Sequence, residues 1–371
     1  MNSAKPLGLC TRCERLPNKI EGTGKLYLWF SLGHSLMKVI HYLRKAGLDY
    51  ELKEDGQCVV ISLEDNQLQG CVNTLAGILT NNELKDTQTL FTTRPGEPQL
   101  RDFPKTMALS RFKSLIQSGW LLDMLAAERV TSQFQPIVYA NDTSRVFGQE
   151  ALLRGVAPDG SLISPGQFFP LAAEAGILVQ LDLLARRSAI REAMRHRIKE
   201  RIFINFSPTS IYDPAFCLRS TMKAIDEAGI SHDQVIFEVV ESDHIQDVAH
   251  LKGILNVYRE AGFLMALDDF GAGYSNLNLL HELRPDLLKL DMSLIRNVYA
   301  DPYKALVTEK ILEIANRLNI RTVAEGIECT EELDWVRERG ATFAQGYLIA
   351  KPTTLPMTKP PRIATENLVM G

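Results

Sequence analysis

The stretch ALDDFGAGYS, Ala266 to Ser275, ends an apolar run in two adjacent acids, Asp268 and Asp269, and then turns through Gly271 and Gly273. Similar apolar runs elsewhere also end in polar groups: Glu150 and Arg154 in GQEALLR, Asn205 in RIFINFSP, Glu238 and Glu241 in QVIFEVVES. Lys289 and Asp291 follow in LLKLD, Glu325 and Glu328 in RTVAEGIE, and Gln345 in TFAQGYLIA. Singly, an acid after a strand is a helix cap or a solvated charge. Gathered at one rim they conflict, because two carboxylates 4 Å apart repel by roughly 4 kcal/mol at an effective dielectric of 20. A bound cation removes that conflict. Donors drawn from Glu, Asp and Asn, without Cys or His, select a hard ion such as Mg²⁺ or Mn²⁺ over zinc or copper. Adjacent acids at a strand end point to different sides and so can serve two ions ~3.5–4 Å apart, a clamp for in-line attack on a phosphodiester. Gly271 and Gly273 let the next loop fold tightly over such a site.

The elements that must position these residues follow from the rhythm beyond Gln133. FQPIVYA, GQEALLR, RIFINFSP, QVIFEVVES, FLMALDDF, LLKLD, RTVAEGIE and TFAQGYLIA are eight strand-like runs separated by helical stretches, the pattern of a (β/α)₈ TIM-like barrel. Chemistry in such barrels sits at the C-terminal strand ends, where these polar groups fall. The turn-like NDTSRVFG between the first two runs predicts an antiparallel first strand pair.

Before the barrel, KLYLWF, DYELKE, QCVVISL and TLFTT alternate with helical stretches at Ser35 to Ala46 and Asn66 to Leu79, suggesting a small α+β domain of ferredoxin-like kind. The expected division is a tail at 1–24, this domain at 25–93, a linker and helix at 94–130, the barrel at 131–355 and a tail at 356–371. The helix is expected from Met107 to about Arg129. The GTGK at Gly22 lacks the outer glycine and hydroxyl of a phosphate-binding loop.

With 371 residues, 45% of them hydrophobic, and a net charge of −4, the chain can fill two cores and carries no basic tract for a nucleic-acid polymer. The N-terminus lacks a secretory pattern, and the most apolar segment contains His34, Lys38 and His41, so no membrane span and a cytoplasmic location are expected. Cys10 and Cys13 have the spacing of half a zinc knuckle without a second close pair, and ordinary thiols are the expectation.

In order, FQPIV, QEALLR, NFSP, FEVVES, DDFGAGYSNL, LKLD, AEGIE and AQGYLIAKP resemble the EAL family of cyclic di-GMP phosphodiesterases over about Gln133 to Pro352. The resemblance implies hydrolysis of cyclic di-GMP to linear pGpG in bacterial second-messenger signalling, with two Mg²⁺ or Mn²⁺ ions. It implies that Glu150, Asn205, Glu238 and Asp268 ligate one ion while Asp269 and Asp291 hold or support the second. Lys289 and Glu325 would be the catalytic pair, either of them able to take the proton of the attacking water. A lysine beside divalent ions can have a lowered pKa, which suits a base. Gln135, Leu152, Arg154 and Pro208 would contact the substrate, Gln345 would orient a water or metal-bound group, and Glu241 and Glu328 would be supporting acids. A homodimer is implied too. Two departures are Val240, where a Thr is usual, and Ala173, where an acid is common; neither removes an expected ligand. A catalytically silent cyclic di-GMP receptor is the alternative from a different class, and a barrel using a Lys base on a metal-bound enolate is a third reading.

Overall fold

A computed structural model describes residues 15–53, 56–208, 211, 217–239, 248–272 and 277–363. Cys10, Cys13, Glu241 and Gly273 lie outside these residues. The chain divides into two compact units: Arg15–Glu128 with Ser164–Leu178, and Arg129–Ile163 with the described residues from Val179 onward.

In the smaller unit β1 (Gly24–Trp29) leads into a helix at Gly33–Ala46, then β2 (Tyr50–Lys53), β3 (Cys58–Leu63), helices at Asp65–Ile78 and Asn81–Asp86, and β4 (Gln88–Thr92). With β5 (Met107–Ala108) the sheet runs β2-β3-β1-β4-β5, antiparallel throughout. The β-α-β-β-α-β order is the ferredoxin-like arrangement. Period-two alternation puts Leu26, Leu28, Val59 and Ile61 on one face, where they pack with Val39 and Leu43 of the first helix and Leu68, Val72 and Leu75 of the second. Tyr27, Val60 and Leu90 form a separate buried cluster.

The single helix expected from Met107 to about Arg129 is instead a short strand and two helices, Leu109–Gln117 and Gly119–Ala126. Ser118 and Gly119 sit at the break, and Ser118 Oγ donates to the Leu115 carbonyl at 2.8 Å, a local bond that competes with helix continuation. The helix Pro165–Ala175, though inside the stretch expected to form the barrel, packs in the smaller unit. There Ser114 Oγ donates to Glu174 Oε2 at 2.9 Å and Arg111 Nε reaches the Ala175 carbonyl at 3.4 Å.

The larger unit is the expected barrel. Its strands are β6 (Val130–Tyr139), β7 (Asp142–Val156), the two-residue β8 (Leu162–Ile163), β9 (Arg201–Phe206), β10 (Val235–Val239), β11 (Leu264–Phe270), β12 (Leu287–Leu290), β13 (Arg321–Ala324) and β14 (Phe343–Ala344). The order β6-β14-β13-β12-β11-β10-β9-β7 closes through β6–β7 pairing, with β8 appended to β7. β6 is antiparallel to both its neighbours and the other barrel pairs are parallel, so the first strand pair is antiparallel as expected. Ile137, Phe147, Phe203, Ile236, Ala266, Leu287, Val323 and Phe343 form one buried cluster, and Phe147 and Phe343 stack at 3.8 Å. Among the described residues no helix is long and apolar enough to cross a membrane.

Candidate active site

Strand periodicity builds the site on top of that apolar cluster. Two positions beyond a cluster residue lies a polar one: Phe203 precedes Asn205, Ile236 precedes Glu238, Ala266 precedes Asp268, Leu287 precedes Lys289, Val323 precedes Glu325 and Phe343 precedes Gln345. Side chains two apart share a face of a strand, so a strand that plugs the lumen with one residue offers the next to its C-terminal mouth. On β6, which runs the other way, Gln135 precedes Ile137. On β7 the position two before Glu150 is Gly148, where a Cβ would come within 2.6 Å of Phe203 Cε2. Glycine there leaves the space that Phe203 fills.

Asp269 breaks this rule. Plain alternation would turn it away from Asp268, yet the β11–β12 register shifts between Leu267 and Phe270, and Asp269 adopts φ +52°, a left-handed conformation in which Asp is enriched. Oxygens of Asp268, Asp269 and Glu325 consequently lie within 4.8 Å of one another. The bulge therefore gathers the two adjacent acids at one mouth.

Lys289 is buried at the centre of the mouth. Its Nζ lies 2.7 Å from Glu238 Oε1, 2.7 Å from Glu325 Oε1, 2.9 Å from Asp268 Oδ1 and 3.7 Å from Glu150 Oε1. Glu150 also accepts from Asn205 Nδ2 at 3.2 Å and Gln345 Nε2 at 2.7 Å, and Gln345 Nε2 reaches Gln135 Oε1 at 3.2 Å. One cation facing four carboxylates leaves the protein's own charges unbalanced. Burial pushes Glu238 and Glu325 well above the usual carboxylate range; Lys289 pulls both down, but neighbouring acids push them up further. Burial, then Asp268, raises Asp269 to about 6. For Lys289, burial opposes the charge, but Asp268, Glu150, Glu238 and Glu325 outweigh it and hold the ammonium well above its ordinary pKa. With protein groups alone Lys289 is thus a counter-ion, so a lowered lysine pKa would require additional positive charge beside it.

The residues fit such a charge. The Lys289 ammonium meets Glu238 Oε1 and Asp268 Oδ1, whereas buried Glu238 Oε2 and Gln345 Oε1 have no hydrogen-bond partner among the described residues. Buried oxygens left in this state are costly unless something else meets them. An all-oxygen set suits a hard divalent ion.

A cavity of ≈ 390 Å³ opens here, and its lining includes Gln135, Glu150, Asp268, Asp269, Lys289, Asp291, Glu325, Glu328 and Gln345. Asn205 and Glu238 join through Glu150 and Lys289. Asp291 Oδ1 also caps a short helix at Met292–Ile295 by accepting from Ser293 N at 2.8 Å, the ordinary task of a strand-end acid. Exposed Glu328 pairs with Arg296 at 2.7 Å. Leu152, Arg154 and Pro208 do not line this cavity. Arg154 shares a β7 face with Glu150 and Leu152, and its guanidinium donates to Gln133 Oε1 and the Leu153 carbonyl, both at 2.8 Å. Pro208 is buried just past β9.

Sequence reasoning missed the other lining residues Met292, Arg296, Gly326, Gly346 and Tyr347. The glycines had a signal in AEGIE and AQGYLIA. At Gly346 a Cβ would stand 2.1 Å from the Ile327 carbonyl oxygen, so the two motifs cross where only a hydrogen fits.

An EAL domain model matches residues 118–352. The probable cyclic di-GMP phosphodiesterase PdeG of Escherichia coli (strain K12) is 36% identical over 225 residues, 60% of this chain and 44% of the relative. The chain therefore spans less than half the length of that relative. A standalone versatile EAL protein of Vibrio cholerae O395, in its c-di-GMP bound form, is 34% identical, with a TM-score of 0.57 over 62% of this chain and 95% of that one. The YkuI protein of Bacillus subtilis, with an EAL domain and in complex with substrate c-di-GMP and calcium, is 27% identical, with a TM-score of 0.56 over 64% of this chain and 60% of that one.

Proposed function

Since the match extends over more than half of its residues, the chain belongs to the EAL domain family, and we propose that it is a metal-dependent phosphodiesterase hydrolysing cyclic di-GMP to linear pGpG in bacterial second-messenger signalling. One observation carries this reading: the buried carboxylates of Glu238 and Asp268 converge with Glu150 and Glu325 on the single ammonium of Lys289 at one mouth of a closed barrel, and Glu238 Oε2 has no hydrogen-bond partner among the described residues. Glu150, Asn205, Glu238 and Asp268 would hold one ion, with Asp269 and Asp291 at the second. Bound Mg²⁺ or Mn²⁺ would supply charge neutralisation for the phosphodiester and a more acidic water.

The chain's own residues do the rest. Lys289 Nζ and Glu325 Oε1, 2.7 Å apart, form a donor and acceptor couple able to hold the attacking water and take its proton. The water oxygen forms the new bond to phosphorus as one ester P–O bond breaks, and the released ribose oxygen leaves as the hydroxyl of pGpG. Arg154, a planar fork of donors, would suit a phosphate oxygen, Gln135 lines the cavity wall, Leu152 and Pro208, outside that cavity, would meet parts of the substrate that extend beyond it, and Gln345 would orient a water or metal-bound group.

The decisive assay incubates purified protein with cyclic di-GMP and Mg²⁺ or Mn²⁺ and follows pGpG by chromatography, with Glu150→Ala as control. Turnover lost in the control is the expected result. Binding without turnover would instead make the protein a silent receptor.

A homodimer is part of the proposal. Tyr303, Leu306 and Val307 are 85%, 58% and 52% exposed at the start of the helix Pro302–Arg317, and Tyr299, 47% exposed, lies in the turn just before it, together an apolar row suited to a second copy. We assign a regulatory role to the smaller domain, expected at 25–93.

A further inference from the structure

We propose that Asp182 is a positioning residue for Asn205: by accepting from the Ser207 N–H and from Arg186 together, it sets the course of the backbone that carries Asn205 and Pro208. The inference rests on the phosphodiesterase reading of the barrel mouth.

Asp182 and Arg186 are buried on the helix Leu178–His196, one turn apart. Asp182 Oδ1 accepts from Ser207 N at 2.9 Å, and Oδ2 pairs with Arg186 Nη2 at 2.8 Å. Arg186 Nη1 donates to Oγ1 of buried Thr221 at 3.0 Å, on the helix Arg219–Glu227. Burial works against the charge on Arg186, but the Asp182 carboxylate, with Tyr258 behind it, outweighs burial and holds the guanidinium above its ordinary pKa.

Stability alone does not explain this arrangement. A buried ion pair is often no better for stability than apolar residues of the same volume. Apolar residues cannot accept an N–H at a defined point, however. Ser207 is the first residue past β9, where the backbone leaves the ladder and its amide needs an acceptor elsewhere. Asn205, two residues earlier, must present its amide to Glu150. Pinning Ser207 limits how the strand end can twist, and so where both Asn205 and Pro208 point.

The isosteric change Asp182→Asn tests this. A carboxylate offers an acceptor oxygen to each partner, whereas an amide has one oxygen, so either Ser207 N–H or Arg186 must face an NH₂ group. Thr221→Val is the control, because it removes an Arg186 partner and leaves the Ser207 contact intact. In the full-length protein, thermal unfolding, kcat and KM for cyclic di-GMP, and hydrogen exchange at the Ser207 amide are measured for both variants. Both should unfold at lower temperature. Asp182→Asn alone should lose kcat, roughly 10-fold or more as for other supporting groups around metal sites, and alone should release the Ser207 amide to exchange.

Equal kcat losses in the two variants would reduce the ion pair to a stability element and overturn the proposal, as would native kcat in Asp182→Asn. Should Asp182→Asn fail to fold, exchange at Ser207 decides: protection in the native and Thr221→Val proteins supports the assignment, and fast exchange in the native protein overturns it. Absence of hydrolysis by the native protein would sink the phosphodiesterase reading, whereas Ser207 exchange would still judge the contact.

Discussion

Replacing Asp269 by Asn should make the barrel more stable in chelator and less responsive to divalent ions. Asp269 titrates at about 6, against 3.8 for an ordinary aspartate, because it is partly buried beside Asp268. A rise of about 2 units corresponds to ~3 kcal/mol of opposition to the charged form at neutral pH, and solvent screening of this partly exposed group reduces that to about 1–2 kcal/mol. Asn removes the charge and keeps the shape, and it tolerates the φ of +52° at this position. At 2–4 °C per kcal/mol for a unit of this size, Asp269→Asn should unfold about 2–8 °C higher than native at pH 7 in EDTA. Because the folded protein takes up a proton here, the native penalty grows as pH rises from 3.8 through 6, so the variant's advantage should vanish by pH 4. Added Mn²⁺ should reverse the order, stabilising the native barrel more than the variant. Thermal unfolding at pH 4, 5.5 and 7, with and without Mn²⁺, measures every arm. An Asp269→Asn protein no more stable than native in EDTA at pH 7, or equally stabilised by Mn²⁺, would refute the reasoning.

Lys289→Met should abolish turnover and cost about 3–5 kcal/mol at pH 7 in EDTA, the usual effect of stripping one partner from a buried ion pair; urea unfolding measures it, and a loss below 1 kcal/mol would contradict the counter-ion role. Gly346→Ala should cost more than Gly70→Ala, because its new methyl would meet the Ile327 carbonyl at 2.1 Å whereas that of Gly70 meets nothing within 4 Å; paired melting curves make the comparison. In the smaller unit the Thr80 amide, then Lys38 and Ser35, hold Glu83 down to about 2. Its contribution is thus present above pH 4.5 and lost as pH falls through 2. Hydrogen exchange of residues 24–92 should show Glu83→Gln loosening this unit at pH 7, with the difference from native shrinking toward pH 2.

Most of the barrel was legible in the chain because period-two patterning is local. An apolar residue followed two positions later by Asn205, Glu238, Asp268, Lys289, Glu325 or Gln345 can be read from each strand alone, and oxygen-only donors specify a hard ion wherever they meet. The ferredoxin-like order of the smaller domain followed equally from strand and helix rhythm. Other features needed contacts that no local pattern encodes. Asp269 reaches the mouth through a register shift against β12 and a left-handed backbone, and Lys289 is held charged by acids from four other strands or strand ends. Asp182 meets Ser207 across 25 positions of chain. The helix at 165–175 joins the smaller unit because Arg111 and Ser114 receive it, although its neighbours in sequence form the barrel. Sequence determined which side chains each strand would present; tertiary packing decided which of them meet and what charge they carry, since burial and Coulombic neighbours arise only when distant segments come together.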